Sequence, residues 1–196
     1  IIVDGAPASA TSGGCTGITN VTDANVFDGG DGTIGTPYLI STKNQLSFIR
    51  NDLTANYRLT ANINFGQCDN FQKIPGTFTG DLDGGNFTIK GLNILDAVSY
   101  QGMFDIFSGN IYDLTFDKAF VNGDYQAGII AKSSSGGYVD NVTVTNSQVL
   151  CRERCSLIIG EILTNTLVEN TTVNNSEVSG YMYIGGVAGV ANESII

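Results

Sequence analysis

The sequence predicts an all-β fold: a right-handed parallel β-helix closed at its N-terminal end by a cap with one short α-helix. Three observations predict it: a strand-forming composition, a repeat of 28 to 29 residues, and apolar alternation of period two inside each repeat. The 196 residues include 25 Gly, only 3 Pro and no Trp, and are rich in Val, Ile, Thr, Asn and Tyr. Such a mixture suits strands joined by tight turns. An apolar content of 42% is enough for a core.

The repeat is visible when "NIYDLTFDKAFVNGDYQAGIIA" (from Asn110), "YVDNVTVTNSQVLCRERCSLIIG" (from Tyr138) and "LVENTTVNNSEVSGYMYIGGVAG" (from Leu167) are superposed. Ile111, Val139 and Val168 align, as do Asp113, Asn141 and Asn170; Leu114, Val142 and Thr171; and Phe116, Val144 and Val173. Gly128, Ser156 and Gly185 then precede short apolar runs. A shorter copy, "TIKGLNILDAVSYQGMFDI", is expected to place Leu92 and Ile94 in the Leu114 and Phe116 positions, and a fifth copy begins at Ser194, Ile195 and Ile196. Units this short cannot bury their own apolar faces, but stacked coils can, with strands about 4.8 Å apart. A β-propeller blade needs roughly 40 to 50 residues, so the solenoid is the better architecture. Asp113, Asn141 and Asn170 are expected to form a hydrogen-bonded ladder along the stack. Their alternative use is glycosylation, because Asn141-Val-Thr and Asn170-Thr-Thr are acceptor sequons, as are Asn20-Val-Thr and Asn192-Glu-Ser.

The chain before the repeats is different. Thr42 and Gln45 form a T-x-x-Q capping box ahead of Leu46 and Ile49, which predicts a helix ending near Asp52. A solenoid's first coil has an open edge, so a non-repeating cap is physically required. Expected boundaries are an arm or linker at 1–25, the cap at 26–80 and the coils at 81–196, with cap and coils forming one domain. A bare last coil would expose apolar edges, so either more chain or another subunit is expected to cover it. "IIVDGAPASA" lacks a basic leader segment and reads as the start of an excised or mature piece.

The stretches "FDGGDGTIGTPYLIST", "QLSFIRNDL", "NYRLTANINF", "FTGDLDGGNFTIKGLNI" and "YIGGVAGVANESII" resemble bacterial surface proteins that carry GLUG-type repeats, over roughly residues 26–196. That resemblance implies a right-handed β-helix in an adhesin or a stalk of a secreted, cell-surface protein. "GGCTGITNVTD" and the paired cysteines resemble the tips of trimeric fibres of predatory bacteria, which would imply a homotrimer.

Four cysteines without CxxC spacing, in a chain with no histidine, indicate disulfides and an oxidising, extracytoplasmic setting. Of the three possible connectivities, Cys15–Cys68 with Cys151–Cys155 is expected. The first would staple the arm to the cap across 54 residues, worth roughly 4 kcal/mol in loop-closure entropy. The second closes too short a loop to add much global stability, and its expected effect is to hold Arg152, Glu153 and Arg154 in one local shape. In register, Cys151 falls at Gly123 and Gly180, and Cys155 at Ala127 and Ile184. Neighbouring turns carry Tyr100, Tyr125, Tyr181, Met182 and Tyr183. Stacking would therefore gather Tyr100, Tyr125, Arg152, Glu153, Arg154, Tyr181 and Tyr183 into one ridge. Tyr and Arg combine contact area with directional polar groups. The plainer alternative is turn tyrosines beside a solvated charged tip.

Chemistry is not expected. Without histidine, Ser-His and Cys-His nucleophiles and an HExxH zinc site cannot form. Asp81 and Asp83 could supply a glycosidase pair, but they sit in a Gly-rich turn, and Asp96, Asp105, Asp117 and Glu161 are scattered. "DGGDGT", from Asp28 through Asp31 to Thr33, offers two carboxylates for calcium without EF-hand spacing, and a turn is the better reading. No cofactor or metal is expected. A net charge of −10 with 9 scattered basic residues argues against nucleic acid, and no run of 18 apolar residues could insert in a membrane as a helix. The expected function is a non-catalytic adhesin or recognition domain at an extracellular bacterial cell surface, with a glycan or cell-surface receptor as partner. A structural spacer is the alternative.

Overall fold

The computed structural model describes residues 18–95 and 100–192. Cys15, Asp96, Ser194, Ile195 and Ile196 lie outside the described residues. The chain is a parallel β-solenoid of stacked coils with one short helix near its start. A single coil shows the path: Ala131–Ser135, Tyr138–Thr145, Gln148–Leu150 and Glu153–Ser156 follow one another around the core, and Ile159–Thr164 then returns directly onto Ala131–Ser135. Among the described residues the coil strands thus join their equivalents in one nine-stranded, one five-stranded and two four-stranded sheets, with one two-stranded pair beside them.

The register is the one the repeat predicts. Ile111 pairs with Val139 and Val139 with Val168; Phe116 pairs with Val144 and Val144 with Val173; Ala127 pairs with Cys155 and Cys155 with Ile184. One expectation is corrected. Leu92 and Ile94 do not take the Leu114 and Phe116 positions; Ile89 pairs with Phe116, and Ile94 pairs with Val121 in the next sheet. The reason is Gly91, whose φ of 70° turns the chain between Ile89 and Leu92. "TIKGLNI" therefore spans two short strands instead of one.

Alternation inside the long strands is reset by left-handed residues. In Asn110–Asp117 the buried positions are Ile111, Leu114 and Phe116, a pattern that strict period two cannot produce. Asp113, at φ 54°, absorbs the extra residue, and Asn141 (50°) and Asn170 (49°) do so in the coils above. A second left-handed column, Lys118, Asn146 and Asn175, makes the next corner. Asn and Asp tolerate this conformation better than other L-residues. The expected amide ladder is present only in altered form. Asn141 Nδ2 donates to Asp113 Oδ1 at 2.6 Å, but Asn170 Nδ2 donates to Asp140 Oδ1 at 2.7 Å and not to Asn141. A carboxylate makes a stronger, charge-assisted acceptor than an amide oxygen, so the rung shifts by one residue.

The cap forms as its local sequence dictates. Lys43–Phe48 is α-helical and Ile49–Asn51 continues as a 3-10 turn that stops at Asp52. The Thr42 hydroxyl accepts from Gln45 N at 3.2 Å, and Gln45 Oε1 accepts from Thr42 N at 3.2 Å, completing the capping box. Leu46 and Ile49 are fully buried. Tyr38–Ile40 and Tyr57–Leu59 extend the nine-stranded sheet at its N-terminal end, and Phe27 stacks on Tyr38 at 4.6 Å. Thr19–Asn20 pairs with Asp69–Asn70 beside the adjacent four-stranded sheet. The core is aromatic near the cap, where Phe78 stacks on Phe104 at 4.3 Å, and becomes largely aliphatic in later coils.

Asn141→Ala is expected to destabilise the domain by about 1–2 kcal/mol, because Ala pays the left-handed backbone cost. Asn141→Gly should lose less, since Gly adopts positive φ freely. Urea unfolding of both variants checks this, and an Ala variant as stable as the Gly variant would contradict the corner assignment.

Candidate binding ridge at the disulfide turn

The ridge begins with a core column. Cys155 is a buried strand residue stacked between Ala127 and Ile184, and its disulfide reaches outward to Cys151, with Cα atoms 5.8 Å apart. Cys151 lies in the short connection between Gln148–Leu150 and Glu153–Ser156. A Cβ at Gly180, in the coil above, would meet Cys155 Sγ and Cys151 O at 2.6 Å each. Ile184 Cδ1 would lie equally close, so the Cys151 carbonyl, the disulfide sulfur and Ile184 together require the glycine. Cys68 is also disulfide-bonded; its expected partner, Cys15, lies outside the described residues.

The charged tripeptide is not a free hairpin tip. Only Arg152 lies in the connection; Glu153 and Arg154 belong to a strand whose Glu153 pairs with Met182. Arg152 folds back so that its guanidinium carbon lies 4.1 Å from the ring centre of Tyr125. Tyr125 is 6.3 Å from Tyr100, and Lys132 Nζ lies 4.9 Å over Tyr100. Lys132, Tyr100, Tyr125 and Arg152 therefore form one row, with the two rings tilted 38° to each other and each covered by one cation. Tyr181 extends the ridge, its backbone N–H donating to Arg152 O at 2.9 Å. Tyr100 and Tyr125 are 41% and 37% exposed, whereas Tyr181 and Tyr183 are 87% and 55% exposed.

The cations of the ridge are paired. Arg152 lies 3.7 Å from Asp124 and 3.9 Å from Glu153; Arg154 lies 3.4 Å from Glu161. Asp105 receives Lys73 at 2.8 Å and Lys132 at 3.2 Å. Burial alone would raise the Asp105 carboxyl, but the hydrogen bonds and charges of the two lysines outweigh it and hold it below the ordinary Asp range. Sequence reasoning missed Lys132 and counted Asp105 only among scattered carboxylates. Their place beside the tyrosines follows only from the register of Phe104–Phe107 on Ala131–Ser135, in a different sheet from the tyrosine-bearing turns.

Arg154 and Tyr183 stack at equivalent positions of successive coils and both have left-handed backbones, at φ 52° and 56°. The other described non-glycine residues at positive φ are Asn or Asp, except Lys118. Large side chains are costly there.

The alternative carboxylates are engaged elsewhere. Asp81 Oδ1 accepts from Asn110 Nδ2 at 2.6 Å; Asp83 accepts from Gly85 N at 2.7 Å and pairs with Arg58. Asp28 accepts from Gln45 Nε2 at 2.7 Å. Asp31 is held by the Thr36 and Thr33 hydroxyls and the Thr33 N–H, which bring its carboxyl down to about 2. Among the described residues, no three His, Cys, Asp or Glu side chains gather as a metal site.

No family model matches this chain. Halomucin of Haloquadratum walsbyi is 32% identical over 169 residues, a match that covers 75% of this chain and 2% of Halomucin. Among solved structures, that of a putative immunoglobulin A1 protease from Bacteroides ovatus aligns with a TM-score of 0.57 at 18% identity, covering 85% of this chain and 65% of that one. The chain thus spans a very small part of its curated relative and just under two thirds of its structural neighbour. At that identity the structural likeness shows a shared solenoid fold.

Asp105 contributes stability above the ordinary Asp pKa near 3.9, and that contribution is lost as pH falls through its lower folded value. Asp105→Asn should therefore cost about 1 kcal/mol at neutral pH, with the gap from the parent closing in acid, as pH falls below the ordinary Asp range. Chemical unfolding at neutral and acid pH tests the pairing, and a pH-independent gap would contradict it.

Proposed function

We propose that the chain is an extracellular, non-catalytic recognition segment, with residues 26–80 capping the coils of 81–196, and that it contacts a glycan or cell-surface receptor through the disulfide-held ridge. The single observation that carries this reading is the left-handed pair Arg154 and Tyr183. A solenoid that only extends a molecule would fill this column with Asn or Gly, as the corner columns mostly do. Strained backbone retained under large side chains is the pattern of a site where the side chain is used. A cation covers one face of each of Tyr100 and Tyr125, and both rings are less exposed than Tyr181 and Tyr183, so the ligand meets chiefly Tyr181 and Tyr183. The disulfide and the likeness to Halomucin support an extracellular location. A bacterial surface and a homotrimer remain part of the proposal through the quoted GLUG-like and fibre-tip-like stretches.

The spacer reading is favoured by a different observation: the coils repeat in strict register from Asp81–Asp83 to Leu167–Glu169. One variant separates the two. Tyr183→Asn should raise stability by about 1 kcal/mol by relieving the backbone, while abolishing binding of the purified domain on a broad glycan array or to host-cell surfaces. Stabilisation with binding unchanged, or no binding by the parent protein to either, would favour the spacer.

A further inference from the structure

A groove of about 400 Å³ crosses four coils on the outer face of the nine-stranded sheet, within the usual range for ligand sites. Its walls are two columns in register. Thr88 and Thr115 form one, continued by Thr143 and Thr172. Asn64, Lys90, Asp117 and Thr145 form the other. The residues between them, Ile89, Phe116 and Val144, are fully buried, so both flanking columns face outward.

The two columns differ in how their polar groups are used. Asp117 accepts from Thr145 Oγ1 at 3.1 Å and Asn146 Nδ2 at 2.8 Å, and faces Lys90 at 3.9 Å. The Thr88 and Thr115 hydroxyls and the Asn64 amide have no side-chain hydrogen bond to another described residue. The groove is therefore close to neutral, and it presents free donors and acceptors on three successive coils, at intervals of about 4.8 Å over roughly 10 Å along the solenoid axis. An extended peptide gains little here, because the backbone groups of the floor are already spent in the sheet. An anionic polymer is repelled by a chain of net charge −10. A neutral polymer dense in hydroxyl groups matches both the charge and the spacing. We propose that this groove binds an extended neutral polysaccharide strand laid along the axis of the coils.

The site uses other residues than the ridge, so it stands or falls separately. The probes are cellohexaose and maltohexaose, titrated into isotopically labelled protein and followed by backbone amide shifts. At least one is expected to move the Thr88, Lys90, Thr115 and Asp117 amides in a saturable way. The double variant Thr88→Val and Thr115→Val keeps size and strand preference and should weaken that binding at least tenfold with the rest of the spectrum unchanged, whereas Tyr183→Asn should bind as the parent does. Absence of groove shifts with both hexasaccharides, or parental affinity in a folded double-Val variant, overturns the proposal.

Discussion

Parallel strands stacked in register are the constraint on which the rest of this molecule depends. Because each coil lies on the next about 4.8 Å away, every residue is one member of a column, and its neighbours above and below limit what it can be. The consequences appear at three places. Ile111, Val139 and Val168 stack into the core. Asp113 and Asn141 share a hydrogen bond between corners. Gly180 is kept from bearing a side chain by the Cys151 carbonyl and Cys155 sulfur one coil below and by Ile184.

Columns also explain how a strand with the wrong periodicity can serve. Left-handed residues at Asp113, Asn141 and Asn170 reset the alternation, so one long strand keeps the core supplied on both sides of a bend. At those corners the side chain is short and can tolerate the backbone it sits on. At Arg154 and Tyr183 the same backbone carries long side chains beside exposed aromatic rings, and there the local rule is broken where recognition is proposed.

Much of this was legible in the chain itself. The spacing of Ile111, Val139 and Val168 fixed coil length and register, and Thr42 with Gln45 located the helix. The alignment of Cys151 with Gly123 and Gly180 put the disulfide on the correct turn, and Tyr100, Tyr125 and Arg152 do come together. What escaped depends on geometry that pattern alone does not carry. Alternation could not reveal the turn at Gly91, since apolar residues lie on both sides of it. Charge spacing could not show that Glu153 and Arg154 enter a strand, nor that Lys132 and Asp105 reach the tyrosines from another sheet. Nor could residue types show which tyrosine faces are already covered.

Register underlies both the fold and the two proposed surfaces, and distance measurement tests it most directly. Nitroxide labels at Lys90→Cys and Thr145→Cys, two rungs apart in one column through Asp117, should lie near 10 Å at the backbone. Strong dipolar broadening in their electron paramagnetic resonance spectrum, absent from each single-labelled protein, is the predicted result. Spectra of the double-labelled protein that equal the sum of the two single-labelled ones would contradict in-register stacking and, with it, both proposed binding surfaces.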